Sequence, residues 1–394
     1  MLGKIALGFG NNVDFEVHLD PRVFQDMIDL YDIHPGELNQ PREIRTERDL
    51  ILSILGFLHS GSGGERFVLS SEIIECFSQK FHKKVTLGGT SVRAAFAMWA
   101  LGHRPVLHLV TINDYVRKLM PSDLLYVCSN SQDTLYPHLI VQFDEGVTVY
   151  VDNIQIRSSC ANRIIYHNDI DNIQMHLNEE FAHLITNAKI LLISGFNAMQ
   201  DPDLLTERLQ TLRKILRYLP PDAVVYYEDA SFYEPSFRKL IHAALAEDID
   251  IYGLNEDELQ SHLGKEIDPL DVVQVQKALE ELHEHLKVPL IVVHSMYWAL
   301  AYGENAGDVE KALQDGVTMA TTRFCYGDNF TLENYRQVKK LPSNPKGVAL
   351  IDKIKSLLGN KISCAPVPHV DQTNATTVGL GDAFVGGFLA ALSR

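Results

Sequence analysis

Apolar stretches of strand length alternate with stretches of helical period along most of the chain. The predicted strands are Lys4 to Gly8, Lys189 to Ser194, Ala223 to Tyr227, Ile249 to Leu254 and Pro289 to His294. The predicted helices include Glu47 to Leu58, Leu204 to Leu219 and Phe237 to Ala246. Strands separated by helices imply a mostly parallel sheet with right-handed crossovers. The pattern therefore predicts an α/β fold.

The segment from Val106 to Tyr166 breaks this alternation. Val147 to Val151 is β-branched or aromatic, Asp144-Glu145-Gly146 is a turn signal, and few helical periods appear. We therefore expect a small β-rich layer attached to the α/β body.

Two glycine-rich segments do not match the common nucleotide-binding motifs. Gly8-Phe9-Gly10 lacks the third glycine of a dinucleotide fingerprint, because Val13 occupies its place. The run from His59 to Arg66 is not a P-loop, because no Gly-Lys-Ser/Thr ends it. We expect a flexible connection over His59 to Arg66.

The last apolar stretch, Ala375 to Leu392, is the most distinctive. Small residues and the glycines Gly379 and Gly381 open a run that suits a buried helix, with its first turn at Gly379 to Asp382. A helix start with glycines lets an anion approach unpaired backbone N–H groups. Asp382 stands where a carboxylate can accept a proton from an attacking hydroxyl. Alternatively, Asp382 only caps a buried helix.

Similar features recur nearer the N-terminus. Gly88 and Gly89 feed a second helix of small residues, so a ligand can approach the backbone there. Asn12 and Asp14 follow the first strand, at the sheet edge where α/β folds bind ligands, and suit sugar hydroxyls. Turn-forming Asx residues would show the same pattern.

Polar side chains also follow two later strands. Asn255 and Glu258 are three positions apart at the start of a predicted helix, so they share one face and can hold a hydrated Mg²⁺ ion. Glu228, at a neighbouring strand end, can add a second carboxylate. The alternatives are a helix N-cap with acidic residues in its first turn, and an ordinary loop carboxylate.

Arg163 closes the β-rich segment and can clamp a phosphate group. The alternative is an exposed arginine with a surface partner.

Composition narrows the class of partner. The 394 residues carry a formal net charge of −16, which argues against nucleic acid and acidic membranes. The five cysteines show no metal-ligand spacing, and we expect them to be reduced. The apolar N-terminal stretch is too short for a signal peptide, and no stretch reaches membrane-span length. We expect a cytoplasmic protein.

Taken in order, these motifs resemble one known family, the ADP-dependent glucokinases and phosphofructokinases of the ribokinase-like superfamily. The motifs that carry the resemblance are Asn11-Asn12-Val13-Asp14, Gly88-Gly89, Asn162-Arg163, Ser194-Gly195, Tyr226-Tyr227-Glu228, Asn255-x-x-Glu258, Val293-His294-Ser295 and Thr377-Val378-Gly379-Leu380-Gly381-Asp382. The resemblance runs over nearly the whole chain.

The resemblance implies a ribokinase-like, mostly parallel sheet flanked by helices, with a smaller β-rich lid that closes over a sugar. The body would comprise about residues 1–10, 40–105 and 167–394, and the lid about 11–39 and 106–166, within one kinase unit spanning 1–394. The implied reaction moves a phosphoryl group from ADP to a sugar hydroxyl, with Mg²⁺ or another divalent cation. The implied oligomeric state is a monomer or a homodimer.

The resemblance also implies a role for each site residue. Asp382 would be the base, with the amides of Gly379, Leu380 and Gly381 as the anion hole and Arg163 on the transferred phosphate. Asn12, Asp14, Gly88 and Gly89 would meet the acceptor sugar. Glu228, Asn255 and Glu258 would serve the metal, and the nucleotide would contact Asn255, His294, Val370, Gly379, Leu380 and Gly381.

The chain departs from the family pattern at several positions. Tyr226 replaces the histidine of a His-x-Glu motif, and Thr90-Ser91 follows the paired glycines where archaeal enzymes usually have Gln or Asn and then Ala. Glu65 lies near the position of a sugar-recognising glutamate in glucokinases. Arg93 or Arg157 could meet a phosphorylated acceptor. Two alternatives stay open: an ATP-dependent ribokinase-like sugar or nucleoside kinase, and a sugar-binding regulator without catalysis.

Overall fold

The computed structural model describes residues 3–38, 43–371, 376 and 378–393. The strands are β1 Ile5–Leu7, β2 Asn12–His18, β3 Gly64–Phe67, β4 Lys83–Gly88, β5 Val106–Leu109, β6 Leu125–Cys128, β7 His138–Phe143, β8 Thr148–Val151, β9 Ile154–Arg157, β10 Asn162–His167, β11 Ile190–Ile193, β12 Val224–Glu228, β13 Ile251–Asn255, β14 Leu290–His294, β15 Trp298–Gly303 and β16 Ile362–Pro366.

The α-helices are α1 Pro21–Leu30, α2 Glu47–Ser60, α3 Ser71–Ser78, α4 Thr90–Ala100, α5 Asp114–Leu119, α6 Ile170–Gln174, α7 Phe181–Leu184, α8 Pro202–Leu216, α9 Phe237–Leu245, α10 Glu256–Leu263, α11 Val272–Leu286, α12 Glu310–Tyr326, α13 Leu332–Val338, α14 Pro345–Leu358 and α15 Leu380–Leu392. Short 3-10 turns cover Pro35–Glu37, Phe196–Ala198, Ala306–Val309, Gly327–Asn329 and Gly359–Lys361. No helix within the described ranges is long and apolar enough to cross a membrane.

Most strands join one large sheet in the order β16-β15-β14-β13-β12-β11-β1-β5-β6. All of its neighbours are parallel except at β15, which runs antiparallel to β14 and β16. Alternate side chains enter two separate apolar cores, Leu7 and Leu192 on one face and Ala6 and Leu191 on the other. The predicted α/β fold is confirmed, because the sheet is mostly parallel and helices cover both faces.

A small sheet has the order β3-β10-β7-β2-β4, and β8 and β9 form a separate hairpin. Strand membership departs from the predicted division in two places. β3 and β4 fall in the range expected for the body but pair in the small sheet. β5 and β6 fall in the range expected for the lid but extend the large sheet beside β1. The division into body and lid itself stays a prediction.

The expectation of a flexible connection over His59 to Arg66 is wrong for its last residues. Gly64–Phe67 is a strand that pairs in parallel with β10, placing Glu65 opposite Ile165. A strand that depends on a distant partner carries little local signal, because its stability comes from cross-strand pairing.

Helix α15 is held by close backbone contacts through its glycines. A Cβ atom at Gly386 would lie 2.6 Å from Ala97 Cβ of α4, and one at Gly387 would lie 2.6 Å from the carbonyl oxygen of Asp315 in α12. Gly316 of α12 in turn leaves room for the Phe384 ring. Because glycine allows these helices to approach closely, the start of α15 is fixed against the large sheet.

We therefore expect Gly386→Ala to destabilise the fold. The added methyl group must displace α4 or α15, and overpacking of this kind costs about 1–3 kcal/mol. Urea denaturation of the variant and the wild type measures the difference. Gly307→Ala is the matched control, since a Cβ there meets nothing within 4 Å, and it should stay within about 0.5 kcal/mol of the wild type. Equal stability of the two variants would contradict the packing argument.

Candidate active site

The carboxyl ends of β12, β13 and β14 bring three predicted residues together. Glu228 ends β12, and the register places Asn255 of β13 beside His294 of β14. Glu228 is buried; its Oε2 accepts a hydrogen bond from Tyr226 Oη at 3.0 Å, and its Oε1 lies 3.3 Å from His294 Nε2. Ligands of parallel sheets bind at this edge, and the structure places Glu228, Asn255 and His294 there together.

Gly253 makes room for this buried pair. A Cβ at Gly253 would lie 2.0 Å from Tyr226 Oη and 2.3 Å from Glu228 Oε2. The Tyr226 hydroxyl therefore occupies the space that Gly253 leaves and donates to Glu228. Nothing local in the sequence marks Gly253 as necessary.

Burial makes the charged form of these carboxylates costly. Burial raises the pKa of Glu228, and the neighbouring His294 only partly offsets the rise. Burial and the charge of Glu228 also raise the pKa of Glu258 well above its ordinary value. The pKa values of two neighbouring buried carboxylates are therefore both raised, so their charged forms lack full compensation here.

Asn255 and Glu258 form a capping box at the start of α10. Asn255 Oδ1 accepts from the backbone N–H groups of Asp257 and Glu258 at 2.8 and 3.0 Å, and Glu258 Oε2 accepts from the N–H of Asn255 at 2.8 Å. This is the capping alternative that the sequence left open. Among the residues that the structure describes, no cluster of three His, Cys, Asp or Glu has the arrangement of a metal site.

The start of α15 lies against the end of β14. Gly379 caps the helix with a φ of +67°, and a Cβ at Gly381 would lie 3.2 Å from His294 Cε1. The His294 ring packs on Phe384 with centroids 4.6 Å apart. Leu380 opens the helix and Asp382 lies in its first turn. Ala375 and Thr377 of the predicted motif lie outside the described residues.

Two buried guanidinium groups flank Gly379. A Cβ there would lie 2.3 Å from Arg93 Nη1 and 3.2 Å from Arg323 Nε. Positive charge is therefore concentrated beside a helix N-terminus, where backbone N–H groups already favour anions. A chain of net charge −16 can accept an anionic ligand at such a position.

Arg93 joins two predicted site residues. Its Nη2 donates to Asp14 Oδ2 at 2.5 Å, and its Nε lies 3.8 Å from Asp382 Oδ2. Arg93 and Asp14 are both buried, whereas the Asp382 side chain is 23% exposed. Although burial opposes it, the charges of Asp14 and Asp382 raise the pKa of Arg93. Arg93 Nη1 is buried and has no hydrogen-bond partner among the described residues.

Gly88 and Gly89 allow close packing beside Asp14, the partner of Arg93. Asn12 Nδ2 donates to Asp14 Oδ1 at 2.5 Å, and Gly88 lies opposite Asn12 between β2 and β4. A Cβ at Gly88 would lie 2.5 Å from Asp14 Oδ2, and one at Gly89 would lie 2.9 Å from Asn11 Cα. The glycines therefore let β4 approach the two acceptor-binding candidates, Asn12 and Asp14.

Arg163 is the second residue of β10 in the small sheet. Burial lowers its pKa and so does the nearby charge of Arg93, while Asp382 and Glu65 act in the opposite direction. The charge state of Arg163 is therefore influenced by both Arg93 and Asp382. Arg157, the other candidate for a phosphate, lies on the hairpin strand β9 beside Gly146. Val370 lies half-buried beyond β16.

Two histidines that the sequence did not indicate lie at strand ends of the small sheet, where His138 opens β7 and His167 closes β10. His167 Nε2 is 3.2 Å from Glu65 Oε1, and His138 Nε2 is 3.2 Å from Asp169 Oδ2. The two rings lie 5.1 Å apart. Burial opposes ionisation of Glu65, but His167 outweighs it and lowers the pKa of Glu65. His138 and His167 come from different strands, so no local pattern could have paired them.

The fold is ribokinase-like, with a large, mostly parallel sheet flanked by helices and a smaller second sheet. A model of the ADP-specific phosphofructokinase/glucokinase conserved region matches residues 3–390, so the chain belongs to this family of ADP-dependent sugar kinases.

Three similar proteins illustrate the range of the family. The chain is 25% identical to an ADP-dependent glucose/glucosamine kinase of Pyrococcus furiosus, over 98% of this chain and 94% of that one. It is 22% identical to an ADP-specific phosphofructokinase of Pyrococcus horikoshii, over 99% and 97% of the two chains. The fold matches a solved ADP-dependent kinase in complex with fructose-6-phosphate and ADPβS at a TM-score of 0.77, with 15% identity over 99% and 94% of the chains.

We expect Glu228→Gln to gain stability relative to the wild type as the pH rises. Because the folded pKa of Glu228 is above its ordinary value of 4.5, the unfolded chain loses this proton first, and ionisation costs stability above that pH. Urea denaturation at about pH 4 and about pH 8 measures the change for each protein.

The matched control is Glu145→Gln, which alters an exposed glutamate in the turn between β7 and β8. Its difference from the wild type should be the same at both pH values. A Glu228→Gln variant that loses stability relative to the wild type at the higher pH would contradict the assigned cost of burying this carboxylate.

Proposed function

We propose that this kinase transfers a phosphoryl group from ADP to a hydroxyl of a hexose or hexose phosphate, releasing AMP, with Asp382 as the general base. One observation carries the proposal: Arg93 contacts Asp14 and lies 3.8 Å from Asp382. Asp14, which is proposed to bind the acceptor, and Asp382, the proposed base, thus both lie close to the Arg93 guanidinium. A sugar hydroxyl bound at Asp14 would lie near the carboxylate that takes its proton.

The backbone amides of Gly379, Leu380 and Gly381 would receive the negative charge that develops on the transferred group. Preorganised amides at a helix start stabilise such charge without reorganising during the reaction. Arg163 would bind the transferred phosphate from the side of the small sheet. Asn12, Asp14 and the backbone of Gly88 and Gly89 would hold the acceptor.

The carboxylates Glu228 and Glu258, with Asn255, fit a divalent cation such as Mg²⁺. Carboxylate and amide oxygens are the ligands that Mg²⁺ prefers. Burial raises the pKa of both glutamates, and a bound cation would favour their charged forms. When bound, the ion would neutralise phosphate charge. Freed from capping, Asn255 could contact the nucleotide together with His294 and Val370.

The acceptor is proposed only as a hexose or a hexose phosphate. The Glu65 carboxylate on β3 is a candidate for binding a sugar hydroxyl, but it already lies 3.2 Å from His167 Nε2. Arg93 is a candidate for binding an acceptor phosphate, but its Nη2 is paired with Asp14. Its Nη1 has no hydrogen-bond partner among the described residues. The similar proteins named above include both a glucose/glucosamine kinase and a phosphofructokinase.

A coupled assay of the purified protein tests the reaction. ADP and ATP are offered separately, with Mg²⁺, against glucose, glucosamine, fructose 6-phosphate, other sugars and nucleosides. Turnover with ADP and one hexose supports the proposal and names the acceptor. Turnover with ATP alone indicates the ATP-dependent alternative. Sugar binding without turnover indicates a regulator.

We expect Asp382→Asn to abolish most turnover while sugar binding persists. Loss of a general base typically costs about 10²- to 10⁴-fold in rate, whereas the acceptor contacts at Asn12 and Asp14 remain. Steady-state kinetics gives kcat, and calorimetry gives the sugar affinity.

Asp203→Asn is the matched control, because Asp203 is an exposed aspartate in the first turn of another helix, α8. It should leave both quantities unchanged. If Asp382→Asn retained wild-type kcat, the assignment of the base would be wrong.

A further inference from the structure

An ion pair links the small sheet to the end of helix α12. Lys84, on the edge strand β4, contacts Asp328 Oδ2 through its Nζ. Asp328 lies in the 3-10 turn Gly327–Asn329 that follows α12. The Lys84 side chain is half exposed, and that of Asp328 is mostly buried. This contact joins the small sheet to the turn that follows α12.

The same carboxylate holds a buried arginine that reaches the candidate active site. Arg323 Nη1 lies 2.7 Å from Asp328 Oδ1, and Arg323 Nε donates to the carbonyl oxygen of Val378 at 2.7 Å. Val378 directly precedes Gly379, the cap of α15. One continuous chain of contacts therefore runs through Lys84, Asp328, Arg323 and the Val378 carbonyl.

The last contact fixes the direction of a catalytic amide. The Val378–Gly379 peptide is planar and trans, so its C=O and N–H groups point to opposite sides. When Arg323 holds the carbonyl, the N–H of Gly379 is aimed the other way. Gly379 has a φ of +67°, and glycine tolerates several conformations there, so the peptide needs an external constraint.

The charged groups in this chain of contacts depend on one another. Burial opposes ionisation of Asp328, but Arg323 and Lys84 outweigh it and lower the pKa of Asp328 to about 2. The carboxylate therefore stays charged at neutral pH. Loss of either cation leaves a mostly buried charge with only one partner, which favours movement of Asp328 and of the arginine that it holds.

We propose that Lys84, Asp328 and Arg323 are positioning residues that couple the placement of the small sheet to the direction of the Gly379 N–H group. The inference rests on the proposed function, because it assigns that amide to the anion site. With the small sheet as it lies here, Lys84 completes the chain and the anion site is aligned. When the small sheet moves away, Asp328 loses a partner and the constraint on the peptide weakens.

The test compares Lys84→Met with the wild type. Misplacement of a catalytic group by about 1 Å costs on the order of 10²-fold in rate, so we expect kcat to fall about ten- to hundredfold. The sugar dissociation constant, measured by calorimetry, should change by less than about threefold, because Lys84 contacts none of the acceptor candidates. Lys84→Arg should restore most of the loss.

Two further measurements separate positioning from a structural role. Lys84→Met and Asp328→Asn should not add in a double-mutant cycle, since both break one chain of contacts. Hydrogen exchange of the segment Val378 to Ala383 should become faster in Lys84→Met, although Lys84 does not touch that segment. Lys265→Met, which breaks an exposed pair with Glu281, is the matched control and should change none of these quantities.

The outcomes distinguish the two proposals. If the wild type shows no turnover with any donor, the proposed function fails, and exchange in the segment still decides whether the coupling exists. If the wild type is active and Lys84→Met lowers only the melting temperature, with kcat and exchange unchanged, the coupling is overturned. A fall in kcat/KM that comes entirely from weaker sugar binding, with kcat unchanged, would overturn it as well.

Discussion

The candidate site depends on one buried cation. Arg93 donates to Asp14 of the small sheet and lies beside Asp382 at the start of α15. A guanidinium can serve both carboxylates because its donors form a rigid planar fork. Burying a charge is costly unless it is paired, so Arg93 requires Asp14, and Asp14 requires Arg93. The small sheet and the start of α15 are held close together by Arg93.

The rest of the site follows from the close packing of α15. Gly386 and Gly387 allow the helix to press against α4 and α12, and this fixes where its N-terminus lies. Two cations, Arg93 and Arg323, then lie beside Gly379. An acidic protein thus builds a local region of positive charge without changing its overall balance. The carboxylates Glu228 and Glu258 lie at the end of β12 and in the first turn of α10, where a divalent cation is proposed to neutralise them.

Much of the fold was predictable because its signals are local. The strands β11 to β14 follow from apolar runs, and the family resemblance follows from the order of short motifs at strand ends. The motif from Gly379 to Asp382 does open a buried helix, as predicted. These features depend on residues that are neighbours in sequence.

The remaining features depend on residues that are distant in sequence. Nothing near Arg93 indicates that it would join Asp14 to Asp382, and nothing near Gly253 shows that it makes room for Tyr226. The strand β3 and the pair His138 and His167 were missed for the same reason. Asn255 and Glu258 show a different limit, because one spacing suits both a metal ligand pair and the capping box that the structure contains.

Measuring two constants of the Arg93→Lys variant, its sugar affinity and its kcat, tests this account most directly. Lysine keeps the charge but has no planar fork, so it cannot serve Asp14 and Asp382 together. The account predicts that both constants worsen, each by about tenfold or more, since a charged hydrogen bond contributes about 1.5–3 kcal/mol. Arg104→Lys, at an exposed arginine paired with Asp123, is the control. If Arg93→Lys weakened only one constant, or neither, Arg93 would not be the link between acceptor and base.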